Sequence, residues 1–309
     1  MRKVFVGLSS FLAVCLLSAG PAAAAEVPKC TGSYVQSTIF SGQPAIENLI
    51  VGGGGVLYTS GGDASQSLLN AYTKGTVTPR LVTTGLPGGG GLAWSGKRLL
   101  WGYGDLLANG IAGDTNPTAG LYSVRVGPGT SEVVSDHLGM ANGIARGKDG
   151  FIYASNNLGL KLDRISPKGE TENGWANLPS ANGLTVGRHG RYLYANQMFE
   201  TPSTIARIDT TDPSKMWTFF TSPEEGNVLL DGLARDGANN LYAAVFGKGE
   251  VWKISPSKQA CVIASGLSQT TSVAVSGAKK GFKAGNLYAA GFDGNIIQVT
   301  GATDAGFPG

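Results

Sequence analysis

Charge, histidine and cysteine are all scarce in this chain. Charged residues make up 15% of its 309 positions, where about 25% is ordinary. The formal net charge is only +3, which leaves no basic surface of the kind that grips nucleic acid. Two histidines and three cysteines exclude a zinc site built from Cys and His at the usual spacings. Beyond Leu17 no apolar run is long enough to cross a bilayer, and no segment keeps a 3.6-residue apolar period. What the chain has in plenty is Gly, 48 residues, about twice the usual share of ~7%. These cluster without a three-residue period, which excludes collagen. The apolar share of 42% is ordinary, so a sizeable core is available.

Met1-Arg2-Lys3 opens the chain with positive charge, Val4 to Leu17 is apolar, and Ala23-Ala24-Ala25 supplies small residues before Glu26. That order predicts a secretory signal peptide over residues 1–25, a single domain over 26–309, and a secreted or periplasmic destination. Cys15 lies inside the apolar run and not behind a small residue at its end, which argues against a lipoprotein anchor. The remaining chain carries a formal charge of +1 and two cysteines, Cys30 and Cys261. In an oxidising compartment these two are expected to form a disulfide, the alternative being two unpaired buried thiols. A bridge from the chain start to a late segment suits a ring whose ends meet.

A repeat runs through the rest. Asn142-Gly-Ile-Ala leads to Phe151-Ile-Tyr-Ala, Asn182-Gly-Leu-Thr to Tyr192-Leu-Tyr-Ala, and Asp231-Gly-Leu-Ala to Leu241-Tyr-Ala-Ala. Thr271-Ser-Val-Ala before Leu287-Tyr-Ala-Ala, Gly90-Gly-Leu-Ala before Leu99-Leu-Trp, and Glu47-Asn-Leu-Ile before Val56-Leu-Tyr are looser copies. The register positions are thus 47, 90, 142, 182, 231 and 271, spaced by 43, 52, 40, 49 and 40 residues. Each copy offers two apolar strands about a Gly-containing turn, and most continue with a third and a fourth, as in Glu250-Val-Trp-Lys-Ile and Ala260-Cys-Val-Ile. Six such units predict an all-β, six-bladed β-propeller with four antiparallel strands per blade. The chain ends after the third strand of the sixth unit, so an N-terminal strand near Ser33 to Phe40 is expected to complete that blade and close the ring.

The residue heading each innermost strand points into the mouth of the central channel. Glu47, Asn142, Asn182 and Asp231 would therefore bring side-chain oxygens toward one axis. Two carboxylates and two amides form the mixed oxygen set that Ca²⁺ accepts. As isolated dipeptides, Asn-Gly and Asp-Gly are ordinary turn signals, but their return in step before strands is not explained by turns. The Gly52–Gly55 and Gly88–Gly91 runs lack the Gly-Lys-Ser/Thr of a phosphate loop and read as close backbone approaches.

With Asn182-Gly-Leu-Thr-Val, Tyr192-Leu-Tyr, Leu230-Asp-Gly-Leu-Ala, Asn240-Leu-Tyr-Ala-Ala and Gly249-Glu-Val-Trp-Lys-Ile in place, the chain resembles the senescence marker protein/gluconolactonase family. Those proteins are six-bladed propellers related to diisopropyl fluorophosphatase and paraoxonase. The resemblance spans nearly all of residues 26–309 and is sharpest in blades three to five. It implies one catalytic Ca²⁺, or another divalent ion in some members, held by a Glu, two Asn and an Asp, which map onto Glu47, Asn142, Asn182 and Asp231. The family's Glu-Gly/Ser-Pro pattern reads Glu47-Asn-Leu here. The implied activity is hydrolysis of lactones or related esters, with Asp231 as general base on water or as nucleophile.

Further expectations concern the mouth. The long segment Gly102 to Ala119, carrying Tyr103, Asp105, Asn109 and Asp114, would form a lid. Tyr103, His137, Asn156, Asn196 and Phe246 are candidate substrate contacts, and His189 belongs to a turn on the opposite face. The expected partner is a small lactone or ester, with no nucleic acid, no membrane span and a monomeric state. The rival function is a non-enzymatic propeller that binds a ligand or protein with the metal stapling its channel.

Overall fold

The computed structural model describes residues 26–63 and 65–309, so the expected signal peptide at 1–25 lies outside the described residues. After β1 (Val35–Phe40), strands come in fours. The first sheet is β2 (Ile46–Val51), β3 (Leu57–Gly62), β4 (Ser67–Tyr72) and β5 (Arg80–Gly85). The second is β6 (Leu92–Ser95), β7 (Arg98–Tyr103), β8 (Ala119–Arg125) and β9 (Thr130–Leu138), with the short helix α1 (Leu107–Ala112) between β7 and β8. The third holds β10 (Ile144–Arg146), β11 (Ile152–Ser155), β12 (Lys161–Ile165) and β13 (Thr171–Asn177). The fourth holds β14 (Ala181–Val186), β15 (Tyr192–Gln197), β16 (Thr204–Asp209) and β17 (Asp212–Thr221). The fifth holds β18 (Leu230–Arg235), β19 (Leu241–Val245), β20 (Glu250–Ile254) and β21 (Ala260–Ala264). The sixth has β22 (Thr270–Val275), β23 (Leu287–Gly291) and β24 (Ile296–Thr300), and β1 pairs antiparallel with β24 as its outermost strand. The chain is thus a six-bladed propeller of four-stranded antiparallel blades, closed by its N-terminal strand.

Packing explains the sequence pattern strand by strand. Middle strands are covered on both faces by neighbouring blades, so Leu241–Val245 and Leu287–Gly291 are buried throughout and run as unbroken small and apolar residues. Outermost strands meet water, and β9 and β17 are mostly exposed or half-exposed. The recurrent Tyr of the aliphatic-Tyr-Ala motif fills the gap between blades: Tyr153, Tyr242 and Tyr288 are fully buried. There is one apolar cluster for each of the six blade–blade interfaces, so the core is itself a ring.

The ends of the chain are fastened twice. Lys29 pairs in parallel with Val262 beside β21, and Cys30 forms a disulfide with Cys261 of the same strand. Five residues beyond Cys30, β1 begins and pairs with the edge of the next blade. The first segment therefore straps the fifth blade to the sixth. No helix of the described residues is long and apolar enough to cross a membrane.

Candidate active site at the channel mouth

All first strands start at the same face, so the second-to-third and fourth-to-first connections of every blade gather around one channel mouth. Glu47 and Thr271 occupy the second position of β2 and β22, Asn182 and Asp231 the second position of β14 and β18, and Asn142 precedes β10 by two residues. The pairing register slips at 47, 182–183, 231–232 and 271. A bulge of this kind turns a side chain out of the pleat, and here it aims one residue per blade inward.

The Gly that follows Asn or Asp has a structural cause that is not a turn. A Cβ on Gly143 would stand 2.3 Å from Asn182 O, one on Gly183 2.4 Å from Asp231 O, and one on Gly232 2.7 Å from Thr271 O. Each inner strand lies against the next, and only glycine leaves room. The second strands lock the same carbonyls: Ser155 Oγ donates to Asn182 O (2.6 Å) and Asn196 Nδ2 to Asp231 O (2.6 Å). Thr271 Oγ1 donates to Ile46 O (2.7 Å), joining the last blade to the first. Gly183→Ala is therefore expected to destabilise by about 1–3 kcal/mol through overpacking against backbone. Thermal unfolding would show it, with Gly53→Ala, where nothing lies within 4 Å, leaving the melting temperature unchanged.

Asp105 joins the four register residues. Asn142 Nδ2 donates to Glu47 Oε1 (3.2 Å) and to both Asp105 oxygens (3.2 Å each). The Gly102–Ala119 segment thus sends a carboxylate into the mouth. Its lead-in is zipped to the second blade's inner connection, Gly104 N donating to Pro87 O (2.9 Å) and Asp105 N to Gly88 O (3.0 Å). The signal for this was present: the second blade alone has Gly at the register, and a Cβ on Gly90 would approach Asp105 Cβ to 3.2 Å. The blade without a register side chain takes its polar group from the neighbouring loop.

Burial first, then repulsion from Asp105 and Asp231, holds the Glu47 carboxyl well above the usual carboxylate range, while the Asn142 amide pulls it back. Burial and then Asp105 raise Asp231 likewise, against the pull of the Asn182 amide. Asp105 is pushed up to about 6, by burial above all. Three carboxyls that resist ionising side by side are a site that lacks positive charge.

Among the described residues no three His, Cys, Asp or Glu side chains are grouped closely enough to hold a metal by themselves. The amides of Asn142 and Asn182 are needed to complete a donor set. Asn142 turns its Nδ2 to the carboxylates, and a half-turn of that amide exchanges Nδ2 for Oδ1. Asn182 Nδ2 lies 3.2 Å from Met198 Sδ, a weak acceptor that holds the amide loosely. Glu47 and Asp231 with these two rotatable amides supply the mixed carboxylate and carbonyl oxygens that a hard cation accepts.

The candidate substrate contacts divide. Phe246 is half-buried at the mouth, its ring centroid 6.1 Å from that of Phe292; Phe292 in turn lines a cavity of about 230 Å³ with Glu47, Asp105 and Leu106. Asn156 is buried and donates to Gly110 O of α1 (2.9 Å), pinning the inserted segment. Asn196 serves the Asp231 backbone, and its buried Oδ1 has no partner. Tyr103 ends β7 on the mouth side but is buried: its ring packs on Tyr122 (4.6 Å), and burial pushes its hydroxyl up to about 12. His137 is not in the connection to the third blade but in β9, the outermost strand, exposed and paired with the adjacent Asp136. Strand β9 runs longer than the pattern indicated and carries His137 to the outside of the ring. His189 sits exposed in the β14–β15 turn on the far face.

Known structures share this architecture. A gluconolactonase from Xanthomonas campestris superposes with a TM-score of 0.69 at 15% identity, over 91% of this chain and 97% of that one. A luciferin-regenerating enzyme gives 0.64 at 17% identity, over 90% and 98%. Virginiamycin B lyase from Staphylococcus aureus gives 0.58 at 12% identity, over 87% and 99%. At such identities the likeness is one of fold. No curated protein matches the chain in sequence. Residues 154–282, in blades three to six, match the family model of the SMP-30/Gluconolactonase/LRE-like region, and the chain is a six-bladed propeller that carries this region.

Proposed function

We propose that the chain is an exported, divalent-cation-dependent hydrolase of lactones or related esters, and that Ca²⁺ is the cation. The observation that carries this reading is the convergence of Glu47, Asp231 and Asp105 with the Asn142 amide in one buried mouth, where their carboxyls all resist ionisation. Glu47, Asn142, Asn182 and Asp231 would hold the ion. When bound, it would supply Lewis-acid polarisation of the scissile carbonyl and favour the charge that develops on its oxygen.

The chain's own groups do the rest. Asp231, deep on β18, takes a proton from the attacking water or attacks the acyl carbon with its own oxygen. Asn196 fixes the Asp231 backbone from behind. Around the mouth Leu86, Leu107, Ile111, Leu160, Phe199 and Phe292 are exposed, an apolar rim that suits a lactone or ester with an apolar body. Hydrolysis is favoured over a lyase reaction by the histidines. A virginiamycin B lyase is inactive once a histidine is replaced, whereas His137 and His189 both lie outside this mouth.

The test is a panel of lactones and aryl esters assayed with Ca²⁺ and with chelator, beside a calorimetric Ca²⁺ titration. Chelator-sensitive turnover is expected, with a stability gain of about 2.7 kcal/mol when Ca²⁺ exceeds its Kd 100-fold. Metal binding without turnover on any substrate would identify a ligand-binding propeller instead. Absence of metal binding would overturn the proposal.

A further inference from the structure

The two faces of the ring carry opposite charge, although residues 26–309 are close to neutral as a whole. In the connections around the acidic mouth, seven Asp or Glu face a single base, Lys248, and Lys248 is itself paired with Glu224. The first-to-second and third-to-fourth connections, with the tail after β24, form the far face. There ten Lys or Arg stand against Asp149, Glu170, Asp236 and Asp304, and the Asp236 carboxylate is already engaged by Asn240 and Tyr242.

These basic residues are exposed and, Arg191 aside, none is within ion-pair distance of a carboxylate among the described residues. They are spread around the ring: Lys74 in the first blade, Lys97 in the second, Lys148 and Lys168 in the third, Lys258 in the fifth, Lys279, Lys280 and Lys283 in the sixth. At the centre, a cavity of about 320 Å³ opens between Arg146 and Arg235. The lysine-rich loop of the sixth blade is held firmly, because Phe282 is buried against Phe40 and Tyr288 and its N–H donates to Gly55 O (3.0 Å).

We propose that the far face docks on an anionic lipid bilayer, leaving the acidic mouth open to solvent. The distribution decides the partner. A small anion needs its donors convergent, and a linear polyanion needs a track, whereas lysines placed in five blades around a channel match a plane of negative charge. Lysine suits this role as a point charge on a flexible stem, and each lysine near an anionic surface strengthens binding about five-fold. The same bilayer repels the acidic face, so one orientation is selected.

The experiment is co-sedimentation of the purified protein with vesicles of phosphatidylglycerol and phosphatidylcholine in equal parts, against pure phosphatidylcholine, at low salt and at 0.5 M NaCl. Binding is expected to the anionic vesicles alone and to vanish at high salt. Lys279→Glu/Lys280→Glu/Lys283→Glu is expected to weaken it by about 100-fold or more, and Lys148→Glu/Lys168→Glu, in a different blade, by about 25-fold or more. Glu225→Gln on the mouth face is expected to leave it unchanged. The melting temperature of each variant is measured alongside, and the two charge-reversal variants lie in separate loops so that misfolding of one leaves the other informative. Equal binding to both vesicle types, binding that survives either reversal in a folded variant, or retention on a sulfated polysaccharide without vesicle binding would each overturn the proposal.

Discussion

Asp231→Asn is expected to abolish turnover and, at the same time, to raise the melting temperature of the chelator-treated protein. Both effects follow from one placement. The carboxylate lies in a buried mouth with Glu47 and Asp105, so in metal-free protein its charge is poorly solvated and faces like charge. Replacing it with an amide of the same shape removes that penalty, stabilising by about 1–2 kcal/mol and raising Tm by roughly 2–4 °C. Losing the proton acceptor or nucleophile costs on the order of 10³-fold in rate. A variant both inactive and no more stable than the parent under chelator would contradict the arrangement.

The pH dependence has the same origin and a definite sign. All three carboxyls have folded-state pKa values above their unfolded values of about 4, so at intermediate pH the folded metal-free chain holds more protons than the unfolded one. Stability is then greatest below about pH 4 as far as these groups are concerned, and it falls as pH rises through about 6 for Asp105 and further for Glu47 and Asp231. Chelator-treated protein should accordingly lose stability between pH 5 and 7 at this site, and saturating Ca²⁺ should cancel or reverse the trend. Thermal scans at fixed ionic strength, with and without chelator, measure it.

The second large effect concerns the strap. Cys30→Ser/Cys261→Ser is expected to cost about 2–5 kcal/mol and to lower Tm by roughly 4–10 °C. The bridge closes a loop of 231 residues in sequence, and without it the segment before β1 is held by the backbone hydrogen bonds of Pro28 and Cys30 to Val262 and of Thr31 to Gly306, with Val27 N donating to Glu224 Oε1. The β1–β24 pairing that closes the ring would open first, and hydrogen exchange should show β1 and β24 losing protection before the inner strands. Uniform loss across all six blades would mean that the strap does not guard the closure.

Much of the fold could be read from the repeat, because each blade buries its middle strands on both faces and that demands the same small and apolar residues at every turn of the ring. Even the closing strand was legible, since the sixth unit visibly lacks its fourth strand. The Asn-Gly and Asp-Gly pairs were legible as positions and not as structures. Their glycines answer to the carbonyl of the next blade, as Gly183 does to Asp231 O, and such a contact between residues nearly fifty apart leaves no local trace. His137 was misplaced because strand length in an outermost, solvent-facing strand is weakly encoded by hydropathy. The burial of Tyr103 against Tyr122 left no trace in the sequence either, because an aromatic at a strand end reads the same whether it turns to the channel or to the neighbouring strand.

What the amino-acid order alone determined, then, is periodic: six blades, their inner, middle and outer strands, and one polar residue returning at the head of every inner strand but the second blade's. Tertiary structure alone decided what is not periodic. It brought Asp105 from a loop into the space left by Gly90, set Asn142 between two carboxyls, and placed acidic connections on one face and basic ones on the other. Burial of side chains within a repeat is written into neighbouring residues. The fields and contacts that arise when distant blades meet depend on the whole ring being closed, and no stretch of sequence carries them by itself.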